Sequence, residues 1–151
     1  MTGAAAAKGA ANETSDSYIL DEQVGFILRQ VLQRHTTLFL DKFGESLTPT
    51  QWASLIKLHE KGPLSQNLLG RLTAMDVATI KGVIDRLTRR GLTEVRPDET
   101  DGRRHLIALT AKGRDLVEAS LPLAVGVTEE TLVPLSRAER ASLLALLGKL
   151  R

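Results

Sequence analysis

Residues 77–92 read VATIKGVIDRLTRRGL, and most of the fold can be worked out from this stretch. Val77, Ile80, Val83, Ile84 and Leu87 recur at helical spacing and form one apolar face. Gly91 stands where a helix commonly ends in a left-handed residue. The pattern predicts a helix over 77–90. Projected at about 100° per residue, Ala78, Gly82, Asp85 and Arg89 lie opposite the apolar face, with Thr79, Lys81 and Arg86 flanking them. Upstream, Ser65 opens a short helix with Leu68, Leu69 and Leu72 turned inward, and residues 73–76 make a tight connection. Helix, short turn, helix of these lengths is the helix-turn-helix arrangement.

Downstream, strand-like stretches at 92–96 and 103–109 enclose Pro97-Asp98-Glu99-Thr100-Asp101-Gly102, a loop by every turn rule. A hairpin directly after such a helix is a wing. Further out, Thr48-Pro49-Thr50-Gln51 combines a cap, a first-turn proline and a capping box. It starts a helix through Trp52, Leu55, Ile56 and Leu58 that stops at Gly62-Pro63. A first helix is expected from Leu20, with Val24, Ile27, Leu28, Val31, Leu32, His35, Leu38 and Phe39 in phase. Phe26 and Leu40 lie off that stripe, so the helix needs two packing partners, one of which a second copy could supply. From Thr110 a long helix returns, with Pro122 expected to kink or interrupt it. Ser136-Arg137-Ala138-Glu139 is a second capping box, opening a last helix through Leu143, Leu144, Leu146, Leu147 and Leu150.

The whole chain has 151 residues, 42% apolar and 25% charged, which suits one globular domain with a real core. The aromatic share is only 3%, and Leu and Ala dominate, favouring helices. The chain has no cysteine, which excludes disulfides, thiolate metal sites and cysteine nucleophiles. Residues 1–17, rich in Ala, Gly, Ser and Asn, read as a disordered arm and not as a signal peptide. No apolar run is long enough for a membrane span, and a cytoplasmic protein is expected. His35, His59 and His105 form no helical metal pair, and no phosphate loop or nucleophile elbow occurs. Asp98 and Asp101 sit in the wing beside arginines, poor ground for acid–base catalysis. Neither an enzyme nor a cofactor or metal is expected. Ten of the 20 Lys and Arg fall within 71–114, which carries +4 against −1 in each flank. A basic middle suits a module that meets phosphate, although a solvated helix face and a charged turn would look the same.

In this order and spacing, three segments resemble the MarR family of winged-helix regulators: 47–52 (LTPTQW), 84–92 (IDRLTRRGL), and 98–113 with its Asp101-Gly102-Arg103 and Leu109-Thr110-Ala111-Lys112-Gly113. The resemblance covers about residues 20–150. It implies a mainly α fold with a small β-wing: a winged helix-turn-helix plus N- and C-terminal dimerisation helices. The expected division is an arm at 1–17, a dimerisation helix at 18–46, the DNA-binding domain at 47–112 and dimerisation helices at 113–151. It further implies a homodimer on double-stranded, pseudo-palindromic DNA with half-sites about one helical turn apart.

On this reading Ala78, Thr79, Lys81, Gly82, Arg86 and Arg89 face DNA, while Ser65 and Gln66 suit phosphate. Gly82 fits either close backbone approach to DNA or a glycine merely tolerated. In the wing, the resemblance has Asp101 pair with Arg103 and aim it at the minor groove, where A·T tracts attract arginine. Gly102 stands where relatives often carry arginine, a contact that Arg104 could replace. Many relatives release DNA on binding small aromatic acids. His35 and Arg34 would suit such a carboxylate, with Leu28, Leu32, Phe39 and Trp52 as walls; an inward histidine is more often a core or interface residue, and each wall residue alone is more often plain core. Residues 25–35 (GFILRQVLQRH) resemble the subgroup governing breakdown of aromatic and heteroaromatic acids, nearest the nicotinate-degradation repressors, whose effector is 6-hydroxynicotinate. A repressor is expected over an activator because promoter occupancy alone blocks polymerase, though the sequence leaves both open.

Overall fold

The computed structural model describes residues 17–151. The expected disordered arm therefore lies, but for Ser17, outside the described residues. The order of elements is a single 3-10 turn at Leu20–Glu22, then α1 (Val24–Phe43), α2 (Pro49–Lys61), α3 (Gln66–Leu72), α4 (Val77–Arg89), β1 (Thr93–Pro97), β2 (His105–Leu109), α5 (Ala111–Leu132) and α6 (Arg137–Gly148). This is a mainly helical winged helix-turn-helix. The chain divides after Arg34, within α1, into two compact units. No helix of the described residues is long and apolar enough to cross a membrane.

Helix starts follow the capping chemistry. Thr48 accepts from the Gln51 N–H while the Gln51 side chain takes the Thr48 N–H, and Ser136 and Glu139 repeat the box on α6. Ser65, Asp76 and Thr110 cap α3, α4 and α5 in the simpler way. Two expectations are corrected. The first helix begins at Val24 rather than Leu20, because residues 20–22 close a 3-10 turn and Gln23 is extended. Pro122 does not end α5, which runs through it. Proline removes its own N–H from the ladder and its ring crowds the carbonyl four residues back, yet the 22-residue helix carries on past that one turn.

The core of the second unit gathers Phe39, Phe43, Leu47, Leu55, Leu58, Leu69, Ile80, Val83, Ile84, Leu87, Leu92, Ile107, Leu109, Val117 and Val127. All four buried residues of α4 come from its predicted apolar face, though Val77 is exposed. The connection between α3 and α4 is tight. Ala74 takes a left-handed φ of 55°, Met75 N–H donates to Gly70 O, and a Cβ on Gly70 would lie 3.1 Å from Ile80. β1 and β2 pair antiparallel in the register Thr93–Leu109, Val95–Ile107 and Pro97–His105. Leu64 adds a bridge to Ile107, which ties the chain ahead of α3 to the hairpin.

The sharpest steric constraint is at Gly113, where an added Cβ would come 2.0 Å from Leu92 O. Backbone cannot yield there as a side chain can. Gly113→Ala is expected to lower stability by about 2–3 kcal/mol, measured by urea unfolding with an unchanged slope; a loss within experimental error would show that the seam can open freely.

Candidate nucleic-acid interface and apolar cleft

The outer face of α4 takes shape from both ends. At its start, the Asp76 carboxylate accepts the Thr79 N–H at 2.7 Å, and these bonds from Thr79 hold its carboxyl below the usual aspartate range. At its end, Gly91 takes a φ of 73°, Leu92 N–H reaches back to Leu87 O, and Gly91 N–H reaches Thr88 O. That is a Schellman termination, with Leu87 and Leu92 both buried beneath it. Between these stops Ala78, Thr79, Lys81, Asp85, Arg86 and Arg89 are exposed. Lys81 bridges Asp85 at 2.9 Å, and that bond leads the causes holding the Asp85 carboxyl low. Arg89 Nε donates to Asp85 O. A Cβ on Gly82 would meet only the Arg86 guanidinium, at an ordinary 3.5 Å. Nothing within the chain therefore demands glycine at that position.

Ser65 is half-buried, its hydroxyl oxygen accepting the Leu68 N–H as the α3 cap. Gln66 borders an open groove of about 570 Å³ between α4 and the hairpin, together with Ile84, Asp85, Thr88, Arg89, Val95 and Ile107. At the wing tip the expected Asp101–Arg103 side-chain pair is corrected. The Asp101 carboxylate instead accepts the backbone N–H of Arg103 at 3.1 Å. A short carboxylate readily closes such a turn two residues on, and it leaves the guanidinium to solvent. Asp98 does the same for Thr100, whose N–H and hydroxyl both donate to it and keep its carboxyl low. Arg103 and Arg104 are exposed.

A cleft of about 190 Å³ is lined by His35, Phe39, Pro49, Trp52, Ala124, Val127 and Thr128. Three residues expected around a ligand, His35, Phe39 and Trp52, meet here. Phe39 stacks on Phe43 with ring centroids 4.1 Å apart, and Phe43 in turn leans on Trp52. Leu28, Leu32 and Arg34 are exposed residues of the first unit. The α5 residues Ala124, Val127 and Thr128 were not foreseen; nothing local in the sequence marks them, since only the tertiary fold brings α5 beside His35. Gln51 was also missed as a brace. Its Oε1 accepts from the Arg90 guanidinium at 3.2 Å while closing the α2 capping box. Among the described residues no cluster of metal-ligating side chains occurs.

An exposed, basic recognition helix beside a turn-stiffened wing defines a DNA-binding module, and the comparisons agree. The MarR family model matches residues 47–105. A curated relative, the HTH-type transcriptional repressor NicR of Pseudomonas putida, is 39% identical over 134 residues, spanning 88% of this chain and 85% of that protein. The crystal structure of a probable transcriptional regulator from Pseudomonas aeruginosa is 52% identical, covers 88% of this chain and all of its own, and superposes with a TM-score of 0.84. Bordetella bronchiseptica BpsR, in a structure concerned with regulation of its DNA binding by 6-hydroxynicotinic acid, is 40% identical, with 88% and 96% coverage and a TM-score of 0.84. The chain belongs to the MarR family, on the side of the NicR-like regulators. These relatives are transcriptional regulators rather than enzymes.

Two variants test the interface. Gly82→Ala should raise stability by about 0.5–1 kcal/mol yet weaken operator binding, because the methyl occupies the space between helix and groove. Unchanged DNA affinity would make the glycine simply tolerated. Arg103→Ala should weaken binding at fixed salt while sedimentation shows no change in assembly; equal affinities would remove the wing from the interface.

Proposed function

We propose that the chain is a homodimeric transcriptional repressor that reads a pseudo-palindromic operator and is released from it by a small aromatic acid of the hydroxynicotinate kind. The observation that carries the DNA reading is the α4 surface: Ala78, Thr79, Lys81, Arg86 and Arg89 exposed on a helix capped at both ends and buried along its other side. Thr79 and Ala78 suit base edges and a thymine methyl in the major groove, and Lys81, Arg86 and Arg89 suit guanine edges or phosphates. Ser65 and Gln66 would meet backbone phosphate. Arg103 and Arg104 would reach the neighbouring minor groove.

The homodimer is supported by apolar side chains with nothing to pack on. α6 has no buried residue at all, and its Leu144 and the adjoining Leu150 are 60% and 72% exposed. In the first unit Val24, Ile27, Leu28, Val31 and Leu32 are likewise exposed. Monomers seldom leave that much apolar surface in water, and a second copy presents a self-complementary partner. On this reading residues 18–46 and 113–151 are dimerisation segments flanking a DNA-binding domain at 47–112.

The cleft at His35, Phe39 and Trp52 supports the effector half, having apolar walls and few polar groups. The likeness to NicR and to BpsR, whose DNA binding is regulated by 6-hydroxynicotinic acid, points the same way. A ligand there lowers DNA affinity only as far as it prefers the geometry that does not bind DNA. Fluorescence anisotropy on labelled DNA from upstream of the chain's own gene, at fixed salt, is the test. Tight binding lost on adding 6-hydroxynicotinate is expected. Binding indifferent to that acid and to simple benzoates would sink the effector half and spare the regulator. His35→Ala should bind DNA normally and ignore the acid; an unaltered response would move the effector site elsewhere.

A further inference from the structure

Resting on the effector reading above, we infer that Thr131 decides what the cleft accepts, by holding His35 as the Nδ1–H tautomer so that Nε2 is left as a hydrogen-bond acceptor. The effector is then an aromatic acid that also carries a donor on its ring, an N–H or a hydroxyl, rather than a bare aromatic carboxylate.

Counting protons carries the argument. His35 Nδ1 lies 2.8 Å from Thr131 Oγ1. A threonine hydroxyl has one proton to give, and Thr131 gives it to Val127 O, 2.7 Å away and one turn back along α5. Its oxygen must therefore receive at the 2.8 Å contact, which makes Nδ1 the donor. In a neutral imidazole a protonated Nδ1 means a bare Nε2. Thr131 does not line the cleft, whereas His35 does, so Nε2 is the hydrogen-bonding atom of the ring left for an occupant. A neutral acceptor attracts an N–H or O–H and repels a carboxylate's lone pairs.

The other polar groups among the lining side chains are the Thr128 hydroxyl and the Trp52 indole N–H. Both can donate, and carboxylates take donors. The lining thus sets donors beside the His35 Nε2 acceptor, with the Thr128 hydroxyl able to serve as either, the complement of a ring that bears a carboxylate and a separate N–H or hydroxyl. 6-Hydroxynicotinate in its lactam form is such a ring, with an N–H where nicotinate has only a lone pair. The sequence-level expectation that His35 helps grip the carboxylate is replaced: His35 reads the ring substituent.

The first measurement needs no ligand. Long-range 15N–1H correlation spectra of the full chain should show His35 with a pyrrole-like Nδ1 and a pyridine-like Nε2. The opposite pattern overturns the inference outright. Thr131→Val keeps the shape and removes the hydroxyl. It should turn His35 to the Nε2–H form, weaken 6-hydroxynicotinate by about tenfold in calorimetry, and leave nicotinate equal or tighter. Thr131→Ser should restore both the tautomer and the preference, which loss of packing alone would not predict. His35→Ala separates the two claims. If it binds 6-hydroxynicotinate like the wild type, the effector site itself is misplaced. If it loses the acid while Thr131→Val keeps the wild-type ratio of the two acids, the site stands and this inference falls.

Discussion

The recognition helix stays in place because of a seam where three stretches of backbone meet. α4 ends at Arg90-Gly91-Leu92, and carbonyls at a helix end lack partners within the helix. Here α5 supplies them: the Thr110 hydroxyl donates to Gly91 O at 2.6 Å, Lys112 Nζ to Arg90 O at 2.9 Å and Thr110 N–H to Leu92 O at 3.1 Å. Gly113 lets the first turn of α5 press directly on Leu92 O. From the other side Gln51 holds the Arg90 guanidinium. The three segments whose order suggested the family are therefore parts of one junction. LTPTQW supplies the brace, RRGL the helix end and LTAKG the clamp. Their residues are specified by backbone geometry as much as by DNA.

That junction has a mechanical consequence. The turn of α5 that clamps α4 and the turn that carries Val127, Thr128 and Thr131 belong to one unbroken helix. From Gly113 to Thr131 it rises about 27 Å at 1.5 Å per residue. A side chain pressing on Val127 or Thr128 acts on the same rod that holds the end of the recognition helix. Coupling then needs no chain of subtle side-chain shifts. Were the cleft to take an effector, coupling would need only two positions of α5, differing in affinity for DNA and for that molecule. Continuity through Pro122 is what such a lever would require, since a break there would leave cleft and clamp on separate helices.

The sequence made legible whatever depends on neighbours within a turn or two. The capping boxes at Thr48 and Ser136, the stop at Gly91 and the buried stripe of α4 could all be read because each rests on spacing of three to five residues. The misses share another cause. Asp101 had two options on the same residue, the Arg103 guanidinium or its backbone N–H, and residue spacing is the same for both. The Gln51–Arg90 bond spans 39 positions and the His35–Thr131 bond 96, so no periodicity could have announced either. Half of the candidate cleft was readable on α1 and α2; the half on α5 was not, because Ala124, Val127 and Thr128 look like any other turn of an apolar helix.

What remains unsatisfied in the single chain points outward in two different ways. Polar demand is met nearly everywhere: among the described residues no buried side-chain nitrogen or oxygen is without a hydrogen-bond partner. Apolar demand is not, as α6 shows. A chain that settles its buried polar groups internally yet leaves its last helix without one buried residue has its recognition chemistry complete and its packing incomplete. The helix that would face DNA is finished within one subunit, clamped and capped. The spacing between two such helices, which sets fit to an operator, would instead be fixed by the apolar contacts the monomer lacks. On the homodimer reading, affinity per half-site and geometry between half-sites would be written in separate parts of the chain, with α5 the element that touches both.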